Sequence, residues 1–252
     1  MAIAIITGAS SGMGEDFCRL LDAKGLDSLW LVARRKENLE SIASSLKTPC
    51  SVFPVDLSDR SQTEAFIEHI RESSPDIRYL VNCAGFGKFG MTWELSPELT
   101  RSMIDLNVNA LVSLTCACIP FMKSGSHIIE LCSLSAYIGL YDLNVYASSK
   151  AFVRHFCTGL REELRDKGIS VTEVSPGWVK TDFLEITMTE NKVPSKVFRG
   201  AVSKEDVVSK ALRDADKGKR RSVCGFTNRV IVFVSAFCPN FGPMIWKGQF
   251  KS

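Results

Sequence analysis

The order of short apolar runs and longer helical patterns predicts an α/β fold, a doubly wound parallel sheet with helices on both faces. Two observations carry this expectation. The two kinds of run alternate strictly, and the short ones are continuously apolar, the mark of strands buried on both sides. The aliphatic run Ala2–Ile6 is closed by Thr7-Gly8 and reads as the first strand. Further β-branched or aromatic runs predict strands at Ser28–Ala33, Ser51–Val55, Arg78–Asn82, His127–Cys132 and Ser170–Ser175, with a last one at Ser222–Cys224. Helical spacing of apolar residues predicts helices over Gly12–Lys24, Lys36–Leu46, Ser61–Ser73, Pro97–Met122 and Asn144–Asp166. Ser96-Pro97-Glu98 is a strong start signal: an N-cap, a proline in the first turn and an acid at the positive end. No internal repeat, linker or low-complexity segment interrupts the 252 residues, so one domain is expected over 1–252.

Composition narrows the class. Hydrophobic residues at 45% and charged ones at 23% are ordinary for a soluble globular domain with a sizeable core. The nine cysteines show no CxxC spacing. Cys116-Ala117-Cys118 has no adjoining histidine, so no metal site is expected. The cysteines read as small core residues of a reducing, cytoplasmic compartment. Met1–Ile6 lacks a basic leader and a cleavage-like site, which argues for a strand and against a signal peptide. The apolar run Val230–Cys238 is far shorter than the roughly 20 residues a membrane span needs. No nucleic-acid partner is expected.

The first strand runs into Thr7-Gly8-Ala9-Ser10-Ser11-Gly12-Met13-Gly14. Glycines there allow a tight turn, close approach of backbone to a phosphate, and close packing of the next helix. The helix start offers free N–H groups and a partial positive charge to a pyrophosphate. A glycine-rich turn can be only a turn, but its place between strand and helix points to a dinucleotide.

Tyr146-Ala147-Ser148-Ser149-Lys150 lies in a run where Val153, Phe156, Leu160 and Leu164 recur at helical spacing. Positions i and i+4 share a helix face, so Tyr146 and Lys150 are expected to point the same way. A free phenol has a pKa of about 10, too high for acid–base work near neutrality. A neighbouring ammonium, with a cationic cofactor in a water-poor site, is expected to lower it. A drop of about three units needs roughly 4 kcal/mol of differential stabilisation. Alone, such a pair is as readily a half-buried tyrosine beside a solvated lysine.

Taken together, these motifs resemble the short-chain dehydrogenase/reductase family, from Ile3 to about Thr181. The Thr7-Gly8-x-x-x-Gly12-x-Gly14 spacing is that family's. Asn82-Cys83-Ala84-Gly85 resembles its Asn-Asn-Ala-Gly, with Cys83 replacing the second Asn. The resemblance implies a Rossmann-type fold and a homodimer or homotetramer. It implies a nicotinamide cofactor held by Thr7, Gly8, Ser10, Ser11, Gly12, Met13, Gly14, Asn82, Ala84 and Gly85. Asp56-Leu57 would contact the adenine, and Pro176, Gly177, Val179 and Thr181 would close over the nicotinamide. Ser133, 13 residues before Tyr146, matches the catalytic serine, and Asn107 the asparagine of a proton relay. In reduction, Tyr146 would donate a proton to a carbonyl oxygen that Ser133 holds. Lys150 would bind the ribose and keep the phenol's pKa low, and Asn107 would hold a water leading to solvent. A catalytically idle cofactor sensor or scaffold, and the epimerase/dehydratase relatives of the fold, are the competing classes.

The second strand ends in Arg34-Arg35-Lys36, where NAD-binding folds usually place an acid for the ribose 2′-OH. Two guanidinium groups suit a 2′-phosphate, so NADP(H) is expected, with Ser10 as a further donor. Phe86, Phe89, Met91, Trp93 and Trp178, with Tyr137, Ile138 and Tyr141, suggest a bulky apolar ketone or alcohol. Phe183, Leu184, Ile186 and Met188 of a variable segment, residues 182–203, extend that lining. The branch it most resembles includes hydroxysteroid and long-chain ketoacyl reductases. Residues 217–252 hold seven basic residues (Lys217, Lys219, Arg220, Arg221, Arg229, Lys247, Lys251) and no acid. Phe226, Phe233, Phe237, Phe241, Trp246 and Phe250 are interleaved with them. This stretch is expected to be a pocket lid, a subunit contact, or a weak peripheral contact with anionic membrane.

Overall fold

A computed structural model describes residues 1–179, 201–238 and Lys247. Seven parallel strands lie in the order β3-β2-β1-β4-β5-β6-β7. They are β1 (Ala2–Thr7), β2 (Ser28–Ala33), β3 (Cys50–Pro54), β4 (Asp76–Asn82), β5 (His127–Leu131), β6 (Ser170–Val174) and β7 (Arg221–Ser222). The first six helices are α1 (Gly12–Leu21), α2 (Lys36–Ser45), α3 (Arg60–Ser73), α4 (Pro97–Ile104), α5 (Leu111–Cys118) and α6 (Asn144–Glu163). Two more, α7 (Lys204–Asp216) and α8 (Phe226–Phe237), follow β6 and β7. Every predicted strand is present, and Ser28–Ala33 has the predicted ends.

Side chains alternate across each strand, and so the core divides into two layers. Ile3 and Ile5 of β1 face Phe66, Ile67, Leu114, Val153 and Leu160 from α3, α5 and α6. Ala4 and Ile6 face Phe17, Leu21, Leu39, Val208 and Ala211 from α1, α2 and α7. Full burial of one such aliphatic or aromatic side chain contributes about 1.5–3 kcal/mol, so the two layers together hold the sheet. Helix starts are locally determined. Asp59 accepts from the N–H groups of Ser61 and Gln62, and Ser96 from that of Leu99 with Pro97 following.

Several predicted boundaries need correction. The first helix stops at Leu21, short of Lys24, because the Asp22 carboxylate turns to accept from the N–H groups of Lys47 and Thr48. The span predicted as one helix over Pro97–Met122 is continuous but changes geometry. A π-helical turn over Asp105–Ala110 joins α4 to α5, and a 3-10 turn, Ile119–Phe121, ends it. Pro97–Phe121 has the length and apolarity of a membrane-crossing helix, yet Met103, Leu111, Leu114 and Cys118 pack in the core. The helices α7 and α8 were absent from the sequence reading. Not all cysteines are core residues: Cys18, Cys118, Cys132 and Cys157 are buried, whereas Cys116 and Cys238 are exposed.

Beneath the centre of the sheet, Glu130 of β5 is wholly buried. Its Oε1 accepts from Asn82 Nδ2 at 3.1 Å and from the Thr115 hydroxyl at 3.0 Å. Desolvation outweighs these bonds and pushes the carboxyl up from 4.5 to about 7. A raised folded-state pKa means that the folded form binds the extra proton between those values. Its stabilising effect is therefore complete below about 4.5 and lost as pH rises through about 7. Glu130→Gln removes that titration. Denaturant unfolding at pH 5 and pH 8 is expected to show wild type losing up to about 3 kcal/mol relative to the variant. Parallel pH dependence in the two proteins would contradict it.

Candidate active site

The sheet order reverses between β1 and β4, and α/β sheets bind ligands in the crevice outside such a reversal. A cavity of about 1070 Å³ lies there, walled by the β1–α1 turn, the ends of β4, β5 and β6, α6 and α8. Gly8 and Gly12 in the turn have φ of +66° and +59°, the left-handed region that favours glycine. A Cβ on Gly14 would lie 2.1 Å from the Gly8 carbonyl oxygen, so α1 packs backbone to backbone on the turn. Ser11, the N-cap of α1, makes no side-chain cap bond, which leaves the first-turn N–H groups to the cavity side. This cradle of bare backbone at a positive helix end fits the pyrophosphate of a dinucleotide. Ser10, Ser11, Gly12, Met13, Gly14, Ala84 and Gly85 all line it.

Thr7 and Asn82 do not line the cavity, contrary to the sequence reading. Thr7 Oγ1 accepts from the N–H groups of Cys83 and Ala84, both at 3.0 Å, tying β1 to the end of β4. Asn82 points inward to Thr115 and Glu130. Both residues hold the cradle in shape from behind.

At the far end of the cradle, Arg35 Nη2 donates to Ser11 Oγ at 2.7 Å and Ser10 Oγ at 3.3 Å. Arg34 is 74% exposed, its guanidinium 3.9 Å from the Asp56 carboxylate. Asp56 also accepts from the Ser58 hydroxyl at 2.6 Å. With Leu57, these groups form a rim that is cationic and hydroxyl-rich on one side and apolar on the other.

The catalytic candidates converge where β5 meets α6. Ser133 follows β5 and caps a 3-10 turn, Leu134–Tyr137. Its hydroxyl bonds to the Tyr146 phenol. Lys150, one helical turn on, is 3% exposed, with Nζ donating to the Leu131 carbonyl at 2.7 Å and lying 5.9 Å from the Tyr146 ring centre. Burial pulls the ammonium's pKa down. The same burial raises the phenol's pKa, and the Ser133 hydrogen bond opposes it only in part. In the polypeptide alone, desolvation sets the direction at Tyr146 and Lys150 is bonded to a main-chain carbonyl; the expected lowering calls on the coenzyme's positive charge as well.

Asn107 sits in the π turn and, although expected to serve the proton relay, does not line the cavity. Its amide is fully buried and bonds to both main-chain groups of Phe86 and to Ser149 Oγ at 3.1 Å. A Cβ on Gly85 would meet Asn107 Oδ1 at 2.9 Å and Lys150 Nζ at 3.3 Å, so the three converge at one point. The structure gives Asn107 a holding role between the β4 loop and α6.

Pro176, Gly177 and Val179 line the cavity; Thr181, Lys251 and Phe183, Leu184, Ile186 and Met188 lie outside the described residues. The opposite wall is apolar: Phe86, Ile138 and Trp178, joined by Leu140 and Leu143, which sequence reading missed. It also missed Val230, Ile231 and Val234 of α8, although their i, i+1, i+4 spacing is helical. Of the expected aromatics, Phe89 is buried 6.3 Å behind the Trp178 ring, Trp93 is exposed, and Met91, Tyr137 and Tyr141 are off the wall. Among the described tail residues, Lys219 pairs with Asp214, Arg221 faces Glu173, Arg229 donates to the Val223 carbonyl, and Lys247 lies over the Tyr141 ring.

A backbone cradle for a dinucleotide, facing a serine–tyrosine–lysine set across an apolar cavity, defines a nucleotide-dependent oxidoreductase site. Residues 2–192 match the short chain dehydrogenase family, and the chain belongs to it. Serine 3-dehydrogenase of Agrobacterium fabrum is 30% identical over 216 residues, 81% of this chain and 84% of that one. A short-chain dehydrogenase of Sphingobium yanoikuyae in complex with NADPH superposes with a TM-score of 0.81 at 24% identity, covering 94% of both chains. One of Burkholderia phymatum in complex with NAD gives 0.79 at 20%, covering 93% and 92%. The bulky-bulky ketone specific alcohol dehydrogenase of Comamonas testosteroni gives 0.77 at 25%, covering 94% and 92%.

Proposed function

We propose that the protein is an NADP(H)-dependent oxidoreductase that interconverts a ketone and a secondary alcohol on a bulky apolar substrate. The observation that carries this reading is the Ser133–Tyr146 pair facing an apolar wall drawn from Leu140, Leu143, Trp178 and α8. The bound nicotinamide coenzyme would supply or accept the hydride. Residues of the β1–α1 turn would hold its pyrophosphate, and Asp56 and Leu57 its adenine end. Arg35, already bonded to Ser10 and Ser11, would meet the 2′-phosphate beside the exposed Arg34.

Tyr146, kept protonated by burial, donates to the substrate oxygen, with Ser133 as second donor to the same atom. The nearby Lys150 charge offsets the phenolate that remains. The apolar wall excludes water and takes the substrate's bulk, a role matched by the bulky ketones named for the Comamonas relative. A second copy would be expected to pack on this chain as in an oligomer. The outward side of α8, where Phe233 and Phe237 are 68% and 71% exposed, supports weak contact with anionic lipid; Phe226, 81% exposed, also borders the cavity. That contact predicts co-sedimentation with anionic vesicles at low salt and little with neutral ones; no binding to either would remove it.

Tyr146→Phe deletes the proton donor and little volume. Turnover of a ketone panel with NADPH is expected to fall at least about 100-fold while NADPH binding, followed by its fluorescence, persists. Near-normal turnover would place the donor elsewhere. Replacing Arg34 and Arg35 with neutral residues is expected to weaken NADP(H) about tenfold or more and NAD(H) little, since such charge-assisted bonds contribute roughly 1.5–3 kcal/mol. Equal losses for the two coenzymes would give the arginines a purely structural role.

A further inference from the structure

Outside the catalytic set, one buried carboxylate gathers partners from several segments that shape the site. Glu173 in β6 is 2% exposed. Its Oε1 accepts from the Tyr137 phenol and, at 2.5 Å, from the Ser175 hydroxyl. Its Oε2 lies 3.6 Å from Arg221 Nε in β7. Tyr137 ends the 3-10 turn that Ser133 caps, and Ser175 immediately precedes Pro176-Gly177. The guanidinium groups of Arg154, from α6, and Arg221 lie 4.3 and 5.0 Å from the centre of the Tyr137 ring. The two segments are joined again by Leu134 N–H donating to the Pro176 carbonyl at 2.9 Å. Neither Glu173 nor Tyr137 lines the cavity.

Burying a carboxylate costs several kcal/mol unless it is well paired, and a small apolar residue would satisfy the packing of β6 equally well. The partners explain its presence. They clamp the serine-bearing turn to the adjoining Pro176-Gly177 segment, and a one-ångström error at a reacting centre can cost about 100-fold in rate.

We propose that Glu173 is a positioning residue, acting through Tyr137 to set the Ser133 hydroxyl against Pro176-Gly177. The inference rests on the reading of Ser133 as a donor to the substrate oxygen. Tyr137→Phe removes the phenol hydroxyl and keeps the ring beneath the two guanidinium groups. Glu173→Gln keeps size and one acceptor but loses the charge facing Arg221.

The test measures kcat, and coenzyme affinity by NADPH fluorescence, for both variants in wild-type and Ser133→Ala backgrounds. In the wild-type background a kcat loss of roughly 10- to 100-fold is expected, with coenzyme affinity within about twofold. In the Ser133→Ala background the same substitutions are expected to change kcat by less than about twofold, because the group they position is gone. Equal losses in both backgrounds, or normal kcat in Tyr137→Phe, would overturn the proposal. So would a parallel loss of coenzyme binding, which marks a merely structural residue. Should Glu173→Gln fail to fold, the Tyr137→Phe pair decides alone. An unaltered kcat in Ser133→Ala itself would instead overturn the role of Ser133, a failure that the single variant distinguishes.

Discussion

Holding one ammonium group out of water is the constraint on which the catalytic half of this molecule depends. Lys150 enters the interior on α6, and a buried cation is tolerable only where acceptors are fixed in advance. The Leu131 carbonyl, freed at the carboxyl end of β5, provides one at 2.7 Å. Gly85 leaves the space a side chain would fill, and the π turn brings Asn107 up against the same point. The Leu131 carbonyl, the space left by Gly85 and Asn107 gather around one point near this nitrogen. Ser133 then stands two residues beyond Leu131, so the group that must be close to Tyr146 is carried by the strand that anchors the lysine.

The nucleotide half follows a different rule. It uses almost no side chains: Gly8, Gly12 and Gly14 bring turn and helix to contact distance, and Thr7 anchors the turn to β4 from behind. Charge enters at its outer rim, with Arg34, Arg35 and Asp56. Lys150 on α6 and the arginines of the β2–α2 turn thus lie in separate segments, so each can be altered without disturbing the other.

Much of this was legible because it is local. The Gly-rich turn, the strand Ser28–Ala33 and the Tyr146–Lys150 spacing each declare themselves within a few neighbouring residues. The cavity itself was partly legible: Phe86, Ile138 and Trp178 are on its wall, but Phe89 and Tyr137 lie behind it, since residue type does not say which way a loop side chain turns. Helix α7 buries Val207, Val208, Ala211, Leu212 and Ala215, a helical period that was there to be read. Other features were beyond reach. The direction of the Tyr146 shift depends on how much of the fold surrounds it, and the Tyr137–Glu173 contact joins residues 36 apart. The π turn changes the step of a helix without changing its apolar pattern.

The two margins of the sheet limit what can be added to it. Strand β7 pairs with β6 through only Arg221 and Ser222, and β3, at the other margin, ends in Pro54, which has no N–H to offer. An open margin of unpaired main chain is a template for another strand, the route by which many sheet proteins aggregate or fuse their sheets end to end. Among the described residues neither margin provides a long template. Strand addition at either margin would therefore find little main chain to extend.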